Sequence, residues 1–88
     1  MANELVEYYG TACPHCVEMA PLIEKLEKEE KIKIKKLEVW HNAANAKKFQ
    51  EADNGFCGGV PFFINTKTGK KVCGSMTYAK LKAWAQGK

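Results

Sequence analysis

The chain has 88 residues, 45% of them apolar, which is enough for one small domain, assigned to residues 1–88, and too few for a second core. No apolar run is long enough to cross a bilayer, so a membrane span is excluded. The net charge of +4 rests on 14 basic residues, all lysine and interleaved with glutamates; without arginine or a continuous basic stripe this reads as a solvated surface rather than a site for nucleic acid or an acidic partner.

Leu5 to Tyr9 is short, apolar and aromatic and stops at Gly10, which predicts a buried strand with Glu7 as its anomaly. From Pro14 onward Met19, Leu22, Ile23 and Leu26 recur at helical spacing, and Glu27 stands four residues before Lys31, the favourable order for an outer-face pair. Pro21 predicts a kink in this helix, since the periodicity resumes beyond it. Ile32 to Trp40 predicts a second strand, with a change of phase at Lys35-Lys36 that suggests a bulge or twist. Asn42 is placed to cap a helix carrying Ala43, Ala46 and Phe49 inward and stopped by Asn54-Gly55. Gly55 to Gly59 reads as a loop and Pro61 to Asn65 as a third strand. A turn at Lys67-Thr68-Gly69-Lys70 leads into a fourth strand, Lys71 to Cys73, and Thr77 caps a last helix with Tyr78, Leu81, Trp84 and Ala85 inward.

The chemistry concentrates in Cys13-Pro14-His15-Cys16, at the change from strand pattern to helix pattern. A helix starting there places Cys13 at its open N-terminal end and Cys16 one turn on, close enough for the sulfurs to join. Unpartnered amides at that end favour a thiolate, and Pro14 suits the first helical position because it has no N–H to leave unbonded. These residues read as a redox dithiol. His15, in the first turn, could place a hydrogen bond or positive charge near the Cys13 sulfur, lowering its pKa below the usual ~8.5 and making the disulfide more oxidising.

Taken together, strand, Cys-Pro-His-Cys, helix with Pro21, and Gly59-Val60-Pro61 opening a third strand resemble the thioredoxin/glutaredoxin superfamily over essentially the whole chain. The resemblance implies an α/β, thioredoxin-like βαβαββα fold, a central four-stranded mixed sheet flanked by three helices. It also implies a cis Val60–Pro61 bond against the dithiol, with the Val60 backbone pairing to an extended substrate. Glu7, six residues before Cys13, corresponds to the buried acid that accepts the proton of the second cysteine, and Lys36 to the lysine that pairs with that acid. Ala12, Gly59, Cys73 and Gly74 are expected to border the substrate. Ala12 stands where thioredoxins carry tryptophan, and Gly74-Ser75-Met76-Thr77 offers amides but none of the acids of a glutathione grip, so a glutathione site is left open and unsupported.

The expected function is a thiol–disulfide oxidoreductase using a reversible Cys13–Cys16 disulfide, with no metal and no cofactor beyond that disulfide. Its expected partners are disulfide-containing proteins and an upstream reductase, and the chain is expected to be monomeric. Met1-Ala2-Asn3-Glu4 lacks the features of a secretory signal, so a cytoplasmic location is expected for a complete product, although a mature exported form would read the same. Two other functions fit the same residues: a zinc or iron–sulfur module on cysteine thiolates, and a dedicated electron donor to one reductase. Cys57 and Cys73 could form a second disulfide, accept glutathione or join such a metal site. The ordinary reading, a small buried hydrophobe, is adopted for Cys73, and Cys57 is left open.

Overall fold

The computed structural model describes residues 5–87. Its elements are β1 (Leu5–Tyr9), α1 (Pro14–Glu30), β2 (Ile34–Glu38), α2 (Ala43–Asp53), β3 (Phe62–Asn65), β4 (Lys70–Cys73) and α3 (Tyr78–Ala85). The strands form one sheet in the order β2-β1-β3-β4. β1 and β2 are parallel, as the helical crossover between them requires, while β1–β3 and β3–β4 are antiparallel.

Strand alternation sorts the core into two layers. Leu5, Ile34 and Phe63 point to one face, where Met19, Ile23 and Leu26 of α1 meet Leu81 and Trp84 of α3. Val6, Tyr8, Val39 and Phe62 point to the other, against Ala46, Phe49 and Ala52 of α2. Ala43, expected inward, is exposed, and the partly buried face of α2 runs through Ala46 and Phe49 to Ala52 instead.

The phase change in β2 is not a bulge. Pairing advances one residue at a time from Leu5↔Ile34 to Tyr9↔Glu38. Ile34 serves the layer beneath α1 and α3, whereas Leu37 and Val39 serve the layer beneath α2, so the apolar residues change sides of a sheet covered on both faces. β2 is also shorter than its apolar pattern. Ile32 belongs to the end of α1, where its amide bonds Glu27 O at 3.2 Å, after Lys31 has taken the left-handed conformation.

The helix boundaries follow from their caps. Asn42 accepts the Asn45 amide at 3.0 Å and Thr77 accepts that of Lys80 at 3.3 Å. α1 runs through Pro21 as one helix. Buried Asn65 binds α3 to the hairpin, donating to Trp84 O at 3.1 Å and accepting from the amides of Lys67 and Thr68.

Candidate functional site

β1 ends at Gly10, and the chain turns into α1 with Cys13 as the N-cap residue and Pro14 at the first helical position. The Cys13 amide bonds Gly10 O at 3.1 Å, which closes the turn. In place of the usual hydroxyl or carboxylate, the Cys13 sulfur caps the helix and accepts the Cys16 amide at 3.2 Å. Both thiols are free and buried. A donor aimed at Cys13 Sγ stabilises negative charge on that sulfur. At Cys16 burial pushes the thiol up to about 12, reinforced by its hydrogen bond with Cys13 and by the charges of Cys13 and Glu7 and offset in part by the Gly10 backbone. The pair is therefore asymmetric, and Cys16 must give up its proton to a base before it can react.

Behind Cys16 is a cavity of about 200 Å³ lined by Glu7, Tyr9, Cys16, Ala20, Ile23 and Lys36. Glu7 is 3% exposed, and burial raises its carboxyl to about 7, against the pull of the Lys36 charge and with the push of Glu27. Glu7 and Lys36 are register partners on neighbouring strands, but the expected ion pair between them is not the one formed. Lys36 Nζ bonds Glu27 Oε2 at 3.2 Å. Glu27 in turn does not pair with Lys31. Its carboxylate is drawn to the edge of the sheet, where it also accepts the Ile34 amide at 2.9 Å, while Lys31 leaves the helix in its left-handed turn.

The other wall of the site comes from the loop before β3. The Val60–Pro61 bond is cis, and the Cys13 thiol faces Val60 O at 3.7 Å. Gly74, in the left-handed region at φ 83°, bonds Pro61 O at 2.8 Å and brings the end of β4 to this loop, with Gly59 half-buried alongside. The reading of Cys73 as a small buried hydrophobe is wrong: it is exposed and disulfide-bonded to Cys57. The β3–β4 hairpin returns Cys73 to the loop that precedes β3, where its Cα is 5.4 Å from that of Cys57, within disulfide range, which the spacing in sequence did not signal. A four-thiolate site would need both of these sulfurs free.

His15 does not reach the Cys13 sulfur. Its ring is solvent-facing and its Nδ1 is 3.2 Å from Glu18 Oε1, because one helical turn places the two on the outer surface. Ala12 is exposed beside the dithiol. Two contributors have no counterpart in the sequence-based reading. Glu38, at the end of β2, accepts from the Thr11 amide and hydroxyl and from the amides of Trp40 and His41 at 2.7–3.1 Å. Against the upward push of its surroundings, the His41 and Thr11 donors hold its carboxyl down to about 2. It thereby pins the turn leading to Cys13 against the β2–α2 loop. Trp40, half exposed, stacks where a Cβ on Gly10 would stand. A carboxylate two residues before a turn is a local signal for the bonds to Trp40 and His41, but nothing local announces Thr11, 27 residues away.

A four-stranded mixed sheet in the order β2-β1-β3-β4, with α1 and α3 on one face and α2 on the other, defines the thioredoxin-like class of α/β folds. The thioredoxin family profile matches residues 2–87, and the chain belongs to that family. Family membership supports a redox role in general terms. Among solved structures, a mutant of the thioredoxin-like protein BC3987 superposes with a TM-score of 0.65 at 18% identity, covering 97% of each chain. The glutaredoxin of Archaeoglobus fulgidus superposes with a TM-score of 0.63 at 21% identity, covering 97% of this chain and 88% of that one. At such identities the likeness speaks for the fold alone. No curated protein matches the sequence.

Proposed function

We propose that the chain is a thiol–disulfide oxidoreductase with Cys13 as the attacking sulfur and Cys16 as the resolving one. The observation that carries this reading is the capping geometry: Cys13 Sγ receives the Cys16 amide at 3.2 Å, with a second free thiol one turn along. The Cys13 thiolate attacks one sulfur of a substrate disulfide, forming a mixed disulfide and releasing the other substrate sulfur as a thiolate that takes a proton from water. Cys16 then passes its proton to the Glu7 carboxylate and attacks Cys13 Sγ. The Cys13–Cys16 disulfide forms as the Cys13–substrate bond breaks, and the second substrate sulfur leaves as a thiolate that takes up a proton, so two electrons have moved to the substrate. A thiol reductase upstream restores the dithiol, and the same steps in reverse oxidise a dithiol substrate.

Val60 O beside the Cys13 thiol supports docking of an extended, disulfide-bearing segment along the Val60–Pro61 loop. Reduction of insulin disulfides tests the reading. Wild-type protein accelerates it over the free thiol reductant, and Cys13→Ser drops to the reductant's own rate. A Cys13→Ser variant as fast as wild type would remove the proposal.

A further inference from the structure

The resolving step needs a base whose negative charge is not already spent on a cation. Lys36 stands directly across from Glu7 in the β1–β2 ladder, on the same face, and both line the cavity behind Cys16. Left to itself, that ammonium would close on the Glu7 carboxylate. It is instead held at 3.2 Å by Glu27, whose position is fixed independently by the Ile34 amide at 2.9 Å and by the backbone of α1. Lys36 also donates to Ile34 O at 3.4 Å, so the ammonium is bound by two acceptors, neither of them Glu7.

We propose that Glu27 is a positioning residue for the redox reaction: by holding the Lys36 ammonium at its own carboxylate, it leaves Glu7 free to take the proton of Cys16 and return it. The inference rests on the oxidoreductase reading above. Among the described residues, the charged or titratable groups that share the cavity with Glu7 or act on its carboxyl are Cys16 and Glu27 on α1, Lys36 on β2 and Tyr9 on its own strand. Of these, Lys36 draws the Glu7 proton off and Glu27 holds it on, which is the sense the arrangement requires. Glu27→Gln removes the holding charge but keeps an acceptor for the Ile34 amide, so the start of β2 stays anchored. Lys36 then loses its carboxylate partner and is free to close on Glu7, which it faces across the ladder and in the cavity.

The experiment is a titration of the Glu7 side-chain carboxyl by carbon-detected NMR in the intact reduced chain, for wild type, Glu27→Gln and Lys36→Met. The Glu7 midpoint falls by about one unit or more in Glu27→Gln, the range expected when an opposite charge closes on a carboxylate, and rises in Lys36→Met. The rate at which Cys16 resolves a mixed disulfide on Cys13 follows: in Glu27→Gln it is faster than wild type at pH 6, and about two- to threefold slower at pH 8.5, where only base strength counts. A merely structural defect would slow both. An unmoved Glu7 midpoint in a folded, active Glu27→Gln chain overturns the role of Glu27 alone. A midpoint that moves in a chain with no disulfide-reductase activity overturns the oxidoreductase reading, and the proton-transfer role with it.

Discussion

Cys73 at the end of β4 is bonded to Cys57, 16 residues before it, so the segment leading to Pro61 is tied covalently to the strand that flanks it. The Asp53 carboxylate holds the same segment by its backbone, accepting the amides of Cys57 at 2.6 Å and Gly58 at 2.8 Å. Closing a loop of this length stabilises the folded chain by about 3 kcal/mol, chiefly by restricting the unfolded one. The Cys57→Ser, Cys73→Ser double variant is expected to fold, since Asp53 still anchors the loop, and to lose about that much in guanidinium unfolding. An unchanged unfolding midpoint would contradict the assignment of this bridge as a stabilising one.

Glu7 makes stability and chemistry oppose each other. Its folded carboxyl titrates near 7 because burial disfavours the charged form, whereas the unfolded one titrates near 4.5. Between these values the native chain holds more protons than the unfolded one, so stability is full below about pH 4.5 and falls as pH rises through 7. The size of that loss is roughly 3 kcal/mol, at 1.36 kcal/mol per unit. Glu7→Gln removes the slope: the variant is expected to be more stable than wild type at pH 8 and to resolve mixed disulfides more slowly. Chemical unfolding at pH 5 and pH 8 checks the first, and a flat wild-type profile between them would contradict it.

Glu38 acts in the opposite sense. Its folded pKa of about 2 lies below the ordinary 4.5, so its contribution is present above pH 4.5 and is lost as pH falls toward 2. Glu38→Gln should unfold with less acid dependence over that range. It should also loosen the Thr11 turn, seen as faster exchange of the Thr11 and His41 amides, which lose a charged acceptor. Unaltered exchange at both amides would contradict the clamp.

His15 lies between the cysteines in sequence and away from their sulfurs in space. With its ring exposed and paired to Glu18, His15→Ala is expected to change the rate of Cys13 alkylation by less than about threefold at moderate salt. A tenfold loss would show that the ring acts on the sulfur after all.

Much of this architecture is written locally. Asn42 and Thr77 mark the starts of their helices through side chains that bond within one turn, Pro14 marks that of α1 by having no N–H to leave unbonded, and the helical spacing of Met19, Ile23 and Leu26 identifies the face that α1 buries. The capping role of Cys13 is legible for the same reason. What escapes a local reading depends on elements that meet only in the folded sheet. Ile34 and Leu37 look like a slipped pattern because their strand is covered on both sides. The Cys57–Cys73 bond requires the loop before β3 to pass the end of β4, which the β3–β4 hairpin sets opposite Phe62. Glu27 invites pairing with Lys31, four residues on, and only the approach of β2 to α1 offers it Lys36 and the Ile34 amide in exchange. Glu38 and Thr11 are joined in the same way, by parallel strands that place the two loops side by side.

The most direct test of the central claim is to trap the covalent intermediate. Cys16→Ser protein is mixed with a disulfide-bonded peptide, and the adduct is mapped by mass spectrometry after digestion without reductant. One peptide half is expected to accumulate on Cys13, at one equivalent, whereas wild-type protein releases it and is recovered with Cys13 joined to Cys16. No adduct on Cys13, or an adduct that wild-type protein retains equally, would contradict a nucleophile and a resolving thiol held together at the head of α1.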